Sequence, residues 1–596
     1  VASETPPDTP AKRLTQRERL DMLWSQLKNE RSPFDAHWRL IADHLFPTRP
    51  RWTVSDKNRG DRRNGNIINA SATLALQTLR SGLHAGLTSP ARPWMKLATP
   101  DPSLTKRRNV AVWLAEVTER MHSVFHLSNI YNALPMLYGD VATFGTGATA
   151  ILEDPGSPGK PGDLFRAQVY PVGSFALGLD NRGLPTTFMR ETSKSVEQIV
   201  EEYGGKDGQA LERGKEIDWS NISRTVKHLY DKNMILAQVP VRWAVYPNRD
   251  YNPRSLRNAM AWKSCHWEVS ADAELLLRES GFNEFPVMCP RWIAVPDEPY
   301  ANDCPGMTAL GDTKQLQMME RRKGQAIEKM VNPALVGPLS LSTQKVSLLP
   351  GAVTYVDVRD GMQGLKSVHD VNLRVDHLTA DAQAVENRIN RAFYVDLFLM
   401  LTLSNTRGSQ PPTAREVDEL HEEKMLVLGP VLESMIDELL DPLIDRVFAM
   451  MFRAGLIPEP PEELKGVSLT VEYTSILAQA MKMQQVGVLD RMLASTMPMV
   501  QIFPEANAAF NPRFVMREYQ DSLGLHPEVI RTDEEIDAAM AAQQKQAQAA
   551  QDAANAAVAA KAGKDLGTTP FGQSGGTVLD ELAGAAQGGS AAPSVM

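Results

Sequence analysis

The feature that most limits the fold lies in the C-terminal half of the chain. Thr413-Ala-Arg-Glu416 has the form of a capping box, in which the threonine hydroxyl accepts from the N–H three residues on and the glutamate reaches back to the threonine N–H. Behind it an apolar stripe runs at helical steps through Val417, Leu420, Leu428, Leu432, Met435, Leu439, Leu443, Val447 and Met450, stopping at Gly455 and Pro458. At about 1.5 Å per residue, about forty residues predict a rod of about 60 Å, longer than one compact domain. Gly429-Pro430 and Asp441-Pro442 predict bends in it, because proline removes an intrahelical hydrogen bond and its ring strikes the preceding turn. A strut of this length suits a large assembly.

The rest of the chain supplies other elements. Leu14 to Leu45 has apolar residues at near-helical spacing, and Ser32-Pro33 predicts a break between two helices. Arg49 to Asn66 is basic and poor in aliphatics, which predicts an exposed loop; Ser71 to Leu87 returns to helix, and Val110 to Phe144 gives two more helices broken near Ser128 and Asn129. From Ala148 to Val295 short apolar runs between Pro, Gly, Asn and Asp predict an antiparallel sheet region, with strands at Ala148 to Leu152, Ile235 to Tyr246, Ala259 to Val269 and Glu274 to Arg278, and a helix at Ser195 to Tyr203. Thr308 to Met330 is again helical. Pro333, Pro338 and Pro350 punctuate a β-like excursion ending in a strand at Ala352 to Val358, and a second helix is expected from Val375 to Met400. Beyond Val467 a smaller strand-and-helix region is expected. Glu534 to Lys564 is mostly Ala and Gln, which favour helix but bury little area, so this segment needs neighbours. Gly567 to Met596 reads as a flexible Gly, Ser and Ala tail.

Composition removes several classes of function. Apolar residues make up 43% of the 596 residues and charged residues 23%, the balance of a globular chain. Only Cys265, Cys289 and Cys304 occur, too few for a disulfide framework, and no CxxC supports a zinc site, so a reducing compartment is expected. No signal peptide opens the sequence and no run is apolar enough to span a membrane; Phe393 to Leu403 is interrupted by Asp396. Charge is uneven, with 19 Lys and Arg against 10 Asp and Glu up to Val110 and 44 against 62 beyond it. A basic front can meet nucleic acid or an acidic partner, but it is equally an ordinary solvated surface.

No catalytic constellation emerges. No GxxxxGK[ST] cradles a phosphate and no HExxH holds a metal. Gly145-Thr-Gly147-Ala-Thr-Ala150 imitates a dinucleotide fingerprint, yet a helix precedes it and a strand follows, the reverse of the order that a pyrophosphate site requires. Gly572-Gln-Ser574-Gly-Gly576 matches GxSxG but has no strand to present its serine. His122 and His126 stand four apart on a helix, a spacing more often found in packed or surface histidines than in a metal site. The chain is expected to be no enzyme and to need no cofactor or metal.

Four stretches in order carry a resemblance. Asn69-Ala-Ser-Ala-Thr-Leu-Ala-Leu with Leu83-His-Ala-Gly86-Leu-Thr-Ser-Pro90 and Pro93-Trp94-Met-Lys-Leu97, then Tyr138-Gly-Asp-Val-Ala-Thr-Phe-Gly145-Thr-Gly147-Ala, then Gly306-Met-Thr-Ala-Leu310 with Glu328-Lys329-Met-Val-Asn-Pro333-Ala-Leu335, then Thr413-Ala-Arg-Glu-Val with Leu439-Leu-Asp-Pro442-Leu, are similar to signatures of the podovirus-type phage head-to-tail connector (portal) family. The resemblance runs from about Arg13 to about Tyr473.

It implies an α+β subunit with an α/β wing, a two-helix stem, a small α/β clip, a long kinked wing helix and a mainly helical crown. The implied layout is 1–305 as the N-terminal helical and α/β wing region, 306–330 as a stem helix, 331–370 as the clip and 371–400 as the second stem helix. A channel loop at 401–412, the long helix at 413–456, the crown at 457–533, an Ala/Gln-rich helical extension at 534–566 and a tail at 567–596 complete it. It further implies a dodecameric ring at a capsid vertex, in the virion after assembly in the host cytoplasm, through which double-stranded DNA is packaged and ejected. The implied partners are terminase, a tail adaptor, and the major capsid and scaffolding proteins. Ser404, Asn405, Thr406, Arg407, Ser409 and Gln410 are the channel-loop candidates, and Arg321, Arg322, Lys323, Lys329 and Lys345 those of the stem and clip. A small polar loop suits a sliding duplex, which needs weak, sequence-independent contacts, and the acidity beyond Val110 agrees with a channel wall that repels DNA. A packaging motor subunit or head-completion adaptor is the alternative reading.

Overall fold

The computed structural model describes residues 14–332 apart from 54–59, 61–62, 106, 155, 157–161, 213, 256–258 and 272–274, together with 335–336, 366–367, 375–398, 428–474, 516 and 533–568. The chain divides into two compact units, one of residues 1–105 and 113–498 and the other of 106–112 and 499–596.

The first unit opens on α1, Gln16–Leu45. Thr15 caps it: the Thr15 hydroxyl accepts from Glu18 N and the Glu18 carboxylate accepts from Thr15 N, a reciprocal box. Pro33 does not break this helix, contrary to the sequence expectation. Asn29, whose carbonyl loses its partner to the proline, and Pro33 itself both face solvent, where water replaces the bond. The buried stripe of Leu27, Arg31, Trp38, Ile41 and Leu45 continues across the site and holds both halves to the same core. Helices α2 (Ser71–Leu87), α3 (Pro102–Thr105), α4 (Arg108–Leu127) and α5 (Ile130–Phe144) follow, with the break at Ser128 and Asn129 where the pattern placed it. Strand β1, Met95–Ala98, lies between α2 and α3.

Two antiparallel sheets come next. Strands β2 (Ala148–Leu152), β3 (Arg166–Tyr170) and β9 (Val287–Met288) form one, in the order β3-β2-β9. Strands β4 (Phe175–Leu179), β5 (Pro185–Ser195), β6 (Gln238–Pro247), β7 (Trp262–Glu268) and β8 (Arg278–Phe282) form a five-stranded meander in sequence order. The expected strand at Glu274 to Arg278 is displaced: pairing begins at Arg278, which stands opposite His266. One face of the meander takes Leu20, Trp24 and Leu27 of α1 onto Met189, Ala244, Cys265 and Trp267. Alternate positions of the same strands point the other way, where α6 (Val196–Tyr203) and α7 (Arg224–Asp231) pack Val196, Ile199 and Val226 against Val239 and Val241.

The chain then runs through α8 (Pro305–Thr308) into α9 (Leu310–Val331). Strands β10 (Leu335–Val336) and β11 (Lys366–Ser367) pair antiparallel, and α10 (Val375–Ala392) returns. The second helix was expected to reach Met400. It stops at Ala392 because Tyr394 takes a left-handed φ of 54°, and a short helical turn resumes over 395–398. The strand expected at Ala352 to Val358 and the capping box at Thr413 to Glu416 lie outside the described residues.

From 428 to 453 the described chain is helical, through a widened π turn at Ile436–Leu440 into α11, Asp441–Arg453. Proline rings strike the carbonyl of the turn before them, and a widened turn is one way for a helix to absorb that clash; here it sits directly ahead of Pro442. Leu428, Leu432, Met435, Leu439, Leu443, Val447 and Met450 are all buried, as the stripe predicted. Gly455, at φ 68°, follows the helix end. Strand β12, Thr470–Tyr473, pairs with β1, so chain segments far apart in sequence share a sheet.

In the second unit the Ala/Gln-rich segment is helix α12, Asp533–Thr568, and nearly all of its described side chains are exposed.

Candidate functional site: the helix pair and its footing

α9 and α10 lie side by side and run antiparallel: Asp312, near the start of α9, accepts from Arg388 Nε at 3.0 Å, near the end of α10. Their footing is the segment before α2. The carboxamide oxygen of the buried Gln317 accepts from Ile68 N at 2.6 Å and Asn69 N at 2.8 Å, while its nitrogen donates to Asn69 O at 2.8 Å. Glu386 of α10 then accepts from Asn69 Nδ2 at 2.8 Å and Ser71 Oγ at 3.0 Å. Asn69, the first residue of the first signature, therefore joins α2, α9 and α10 in one hydrogen-bond network, in which each buried polar atom gains a partner in place of water. Where the chain leaves α10, Phe398 lies on α2 against Gly82, and a Cβ there would stand 2.2 Å from the Phe398 ring.

The second signature forms the hub under this footing. Gly145 stops α5 with φ 79°, a conformation that glycine adopts without Cβ strain. Its N–H bonds Val141 O at 2.9 Å and its carbonyl accepts from Trp292 N at 2.7 Å, so these backbone groups face the protein and not a phosphate. Trp38 Nε1 donates to Phe144 O at 2.8 Å, and Tyr138 and Thr88 hydroxyls meet at 3.1 Å. Gly306 of α8 lies against the end of α5, where a Cβ would come within 2.2 Å of Thr143 O.

The hub also holds buried charge. Asp140 is fully buried, and Arg49 donates to both its oxygens, Nε to Oδ1 at 2.8 Å and Nη2 to Oδ2 at 2.6 Å. Burial raises the Asp140 carboxyl above its ordinary value, while Arg49 pulls it back. The loop expected to be exposed from Arg49 is thus anchored at its first residue. Arg291 grips Glu438 on the long helix, its N–H donating to Oε2 at 2.8 Å and its Nε to Oε1 at 3.0 Å. Arg446 on α11 is 2% exposed and donates to Ile151 O at 2.8 Å and Glu284 O at 3.2 Å; burial lowers it to about 10, against the pull of Glu284. Arg291 and Arg446 clamp the long helix to the two sheets. Sequence reading missed both, although Arg446 falls on the same helical face as Leu439, Leu443 and Met450, and a charge on an apolar stripe signals a buried partner.

Away from the footing the pair changes character. The face of α9 that carries Thr313, Leu316 and Gln317 is buried, and at three- and four-residue steps it continues through Ile327 and Val331. Ile327 is 41% exposed and Val331 80%, and Leu335 and Val336 of β10 are exposed beyond them.

The sequence-derived candidates fall on both sides of the described boundary. Arg321, Arg322 and Lys329 are exposed on α9, and Lys323 is partly buried with Glu320 at 3.7 Å. Lys345 and the channel-loop residues Ser404, Asn405, Thr406, Arg407, Ser409 and Gln410 lie outside the described residues, as does the GxSxG at 572–576. His122 Nε2 meets Met95 O at 3.1 Å and its ring stands edge-on to Trp94, while His126 packs near Tyr131; the pair does not converge on a ligand. Among the described residues no group of His, Cys, Asp and Glu is placed to hold a metal ion, and no helix is long and apolar enough to cross a membrane.

Comparison with known proteins identifies the class. The family described as bacteriophage head to tail connecting protein matches residues 17–530. The portal protein of Salmonella phage epsilon15 is 41% identical over 576 residues, covering 96% of this chain and 99% of that one. The probable portal protein of Bordetella phage BPP-1 is 41% identical over 523 residues, covering 87% and 89%. A solved structure described as the virion of a native gene transfer agent particle matches at a TM-score of 0.26 and 12% identity over 76% of this chain and 88% of that one, too low a score to bear on the fold. The chain belongs to the bacteriophage head-to-tail connecting family. It is a structural component and not an enzyme.

Proposed function

We propose that this chain is the subunit of a portal at the junction of a phage head and tail, and that identical copies close into a ring around a DNA channel. The observation that carries the reading is the 41% identity to a phage portal protein over 96% of the chain. Two features support the ring. The α9 face that leaves the footing carries apolar side chains into solvent, as a surface awaiting another copy does. The 428–453 helix is held by Arg291 and Arg446 at separate points along its length, which suits a rigid spoke. In this reading α9 and α10 are the stem, 331–370 is the clip that meets terminase and then the tail adaptor, and 401–412 faces the double-stranded DNA. The capsid and scaffolding proteins surround the ring at the vertex, in the assembling particle in the host cytoplasm and then in the virion. Arg321, Arg322, Lys323 and Lys329 serve at the stem, and a polar loop at 404–410 lets the duplex slide.

Electron microscopy of the purified full chain tests the ring. Closed rings with an axial hole, twelve-fold in the simplest outcome, are expected. Solitary compact particles at high protein concentration, at both low and moderate salt, overturn it.

A further inference from the structure

One side of α9 that the footing does not use is wholly basic. Lys314, Arg321 and Lys329 recur at seven- and eight-residue steps, so they share that side of the helix, with Arg322 at its edge and the buried Thr313, Leu316 and Gln317 turned away from it. All four cations are exposed. No acid stands three or four positions from any of them, and the ion pairs of α9 join other residues, Asp312 to Arg388 and Glu320 to Lys323. Like charges gathered on one helix face repel one another, and among the described residues no counter-charge meets these.

The long helix carries the reverse. Asp437, Asp441 and Asp445 stand at four-residue intervals and gather about Tyr473, whose hydroxyl donates to Asp441. Asp437 and Asp445 are exposed and Asp441 is half-buried. Burial raises the Asp441 and Asp445 carboxyls; the Tyr473 bond opposes this at Asp441, while Asp437 adds to it there and Asp441 adds to it at Asp445. The cations on and against this helix are committed to other acids, Arg291 to Glu438 and both Arg446 and Arg453 to Glu284. Lys96 pairs with Glu472, the neighbour of Tyr473. Among the described residues no ion pair reaches the three aspartates.

We infer that the basic face of α9 docks on the aspartate triad of the long helix of a neighbouring identical copy. Each face supplies the counter-charge that the other lacks, and a contact between two different faces of one chain, repeated around an axis, is the kind that closes a ring. Lys314 and Arg322 stand eight residues apart, as Asp437 and Asp445 do, so the charges are spaced alike along the two helices, by about 12 Å on an α-helix. A duplex laid on α9 would leave the triad uncompensated. The inference rests on the portal reading and names two surfaces that meet in its ring.

Charge reversal in the full chain tests it, with the ring fraction read by sedimentation velocity. Lys314→Glu with Arg321→Glu, and separately Asp437→Lys with Asp445→Lys, should each raise the protein concentration needed for half-assembly by about tenfold or more, since every contact then sets like charges together. Co-expression of the two variants should restore rings in which they alternate, because each reversed face then meets its opposite. All four positions are exposed, so the variants should unfold at the wild-type urea concentration. Wild-type rings with either reversal harmless, or reversals that co-expression does not rescue, overturn the inference and leave the portal reading standing. Duplex binding that is lost in Lys314→Glu with Arg321→Glu while rings persist gives the face to DNA and overturns it as well. A wild type that forms no ring overturns the portal reading, and this inference with it.

Discussion

At its footing α9 is matched atom for atom, whereas at its far end it presents bare apolar side chains. Gln317 uses its oxygen twice and its nitrogen once on the backbone of 68–69, and Asp140 beneath the hub is held by both arms of Arg49. Ile327 and Val331 prolong the same helical face at 41% and 80% exposure. The first region is complete within one chain; the second is the surface that, in the proposed ring, another copy would cover. α12 resembles the second region without its apolar side chains: Ala and Gln around the whole helix bury little area in one chain.

Four substitutions test this contrast. Asp140→Ala leaves the largely buried Arg49 guanidinium without its carboxylate and should lower subunit stability by about 3–5 kcal/mol, read from the urea midpoint of the dissociated chain; a loss below about 1 kcal/mol would mean the pair is solvated. Gly306→Ala should cost about 1–3 kcal/mol, because its Cβ meets the Thr143 carbonyl, which as backbone cannot turn aside. The double change Ile327→Ser and Val331→Ser should leave subunit stability within about 0.5 kcal/mol yet reduce the ring fraction in sedimentation. Unchanged rings would remove that face from the interface.

The smallest effect is in pH dependence. Burial raises the Asp441 carboxyl above 3.8, opposed by the hydrogen bond from Tyr473 and helped by Asp437. A carboxyl raised in the folded chain contributes stability that is whole below 3.8 and fades as pH climbs through the raised value. Asp441→Asn should remove that fading, flattening the stability curve over this interval by less than about 0.5 kcal/mol; an identical curve would show that Asp441 is already solvated.

Periodicity recovered the elements whose burial follows their own repeat. The stripe from Leu428 to Met450, the helix of Ser71 to Leu87 and the strand of Ala148 to Leu152 were all visible because each packs one face on the core. What failed depended on surroundings. Pro33 signals a break locally, but its lost hydrogen bond falls on the wet side of α1 and costs little there. Tyr394 carries no local signal for a left-handed turn, and its turn places Phe398 on Gly82, a contact no spacing rule reveals. α7 went unseen because its eight residues bury only Val226. Of the site, Asn69 and Gly145 stood in recognised signatures, but their roles arise from partners more than a hundred residues away, Gln317 and Glu386 for Asn69 and Trp292 for Gly145. The motif shows that such residues matter; only tertiary contacts show why.

The antiparallel course of α9 and α10 has a geometric consequence. One arm carries the chain outward and the other brings it home, so residues can be inserted or deleted only in equal numbers on both. Seven residues added to each would extend the tip by about 10 Å while leaving Asn69, Gln317 and Glu386 where they are. The pair is a telescoping ruler on a fixed mount, able to match attachments of different depth by counting residues.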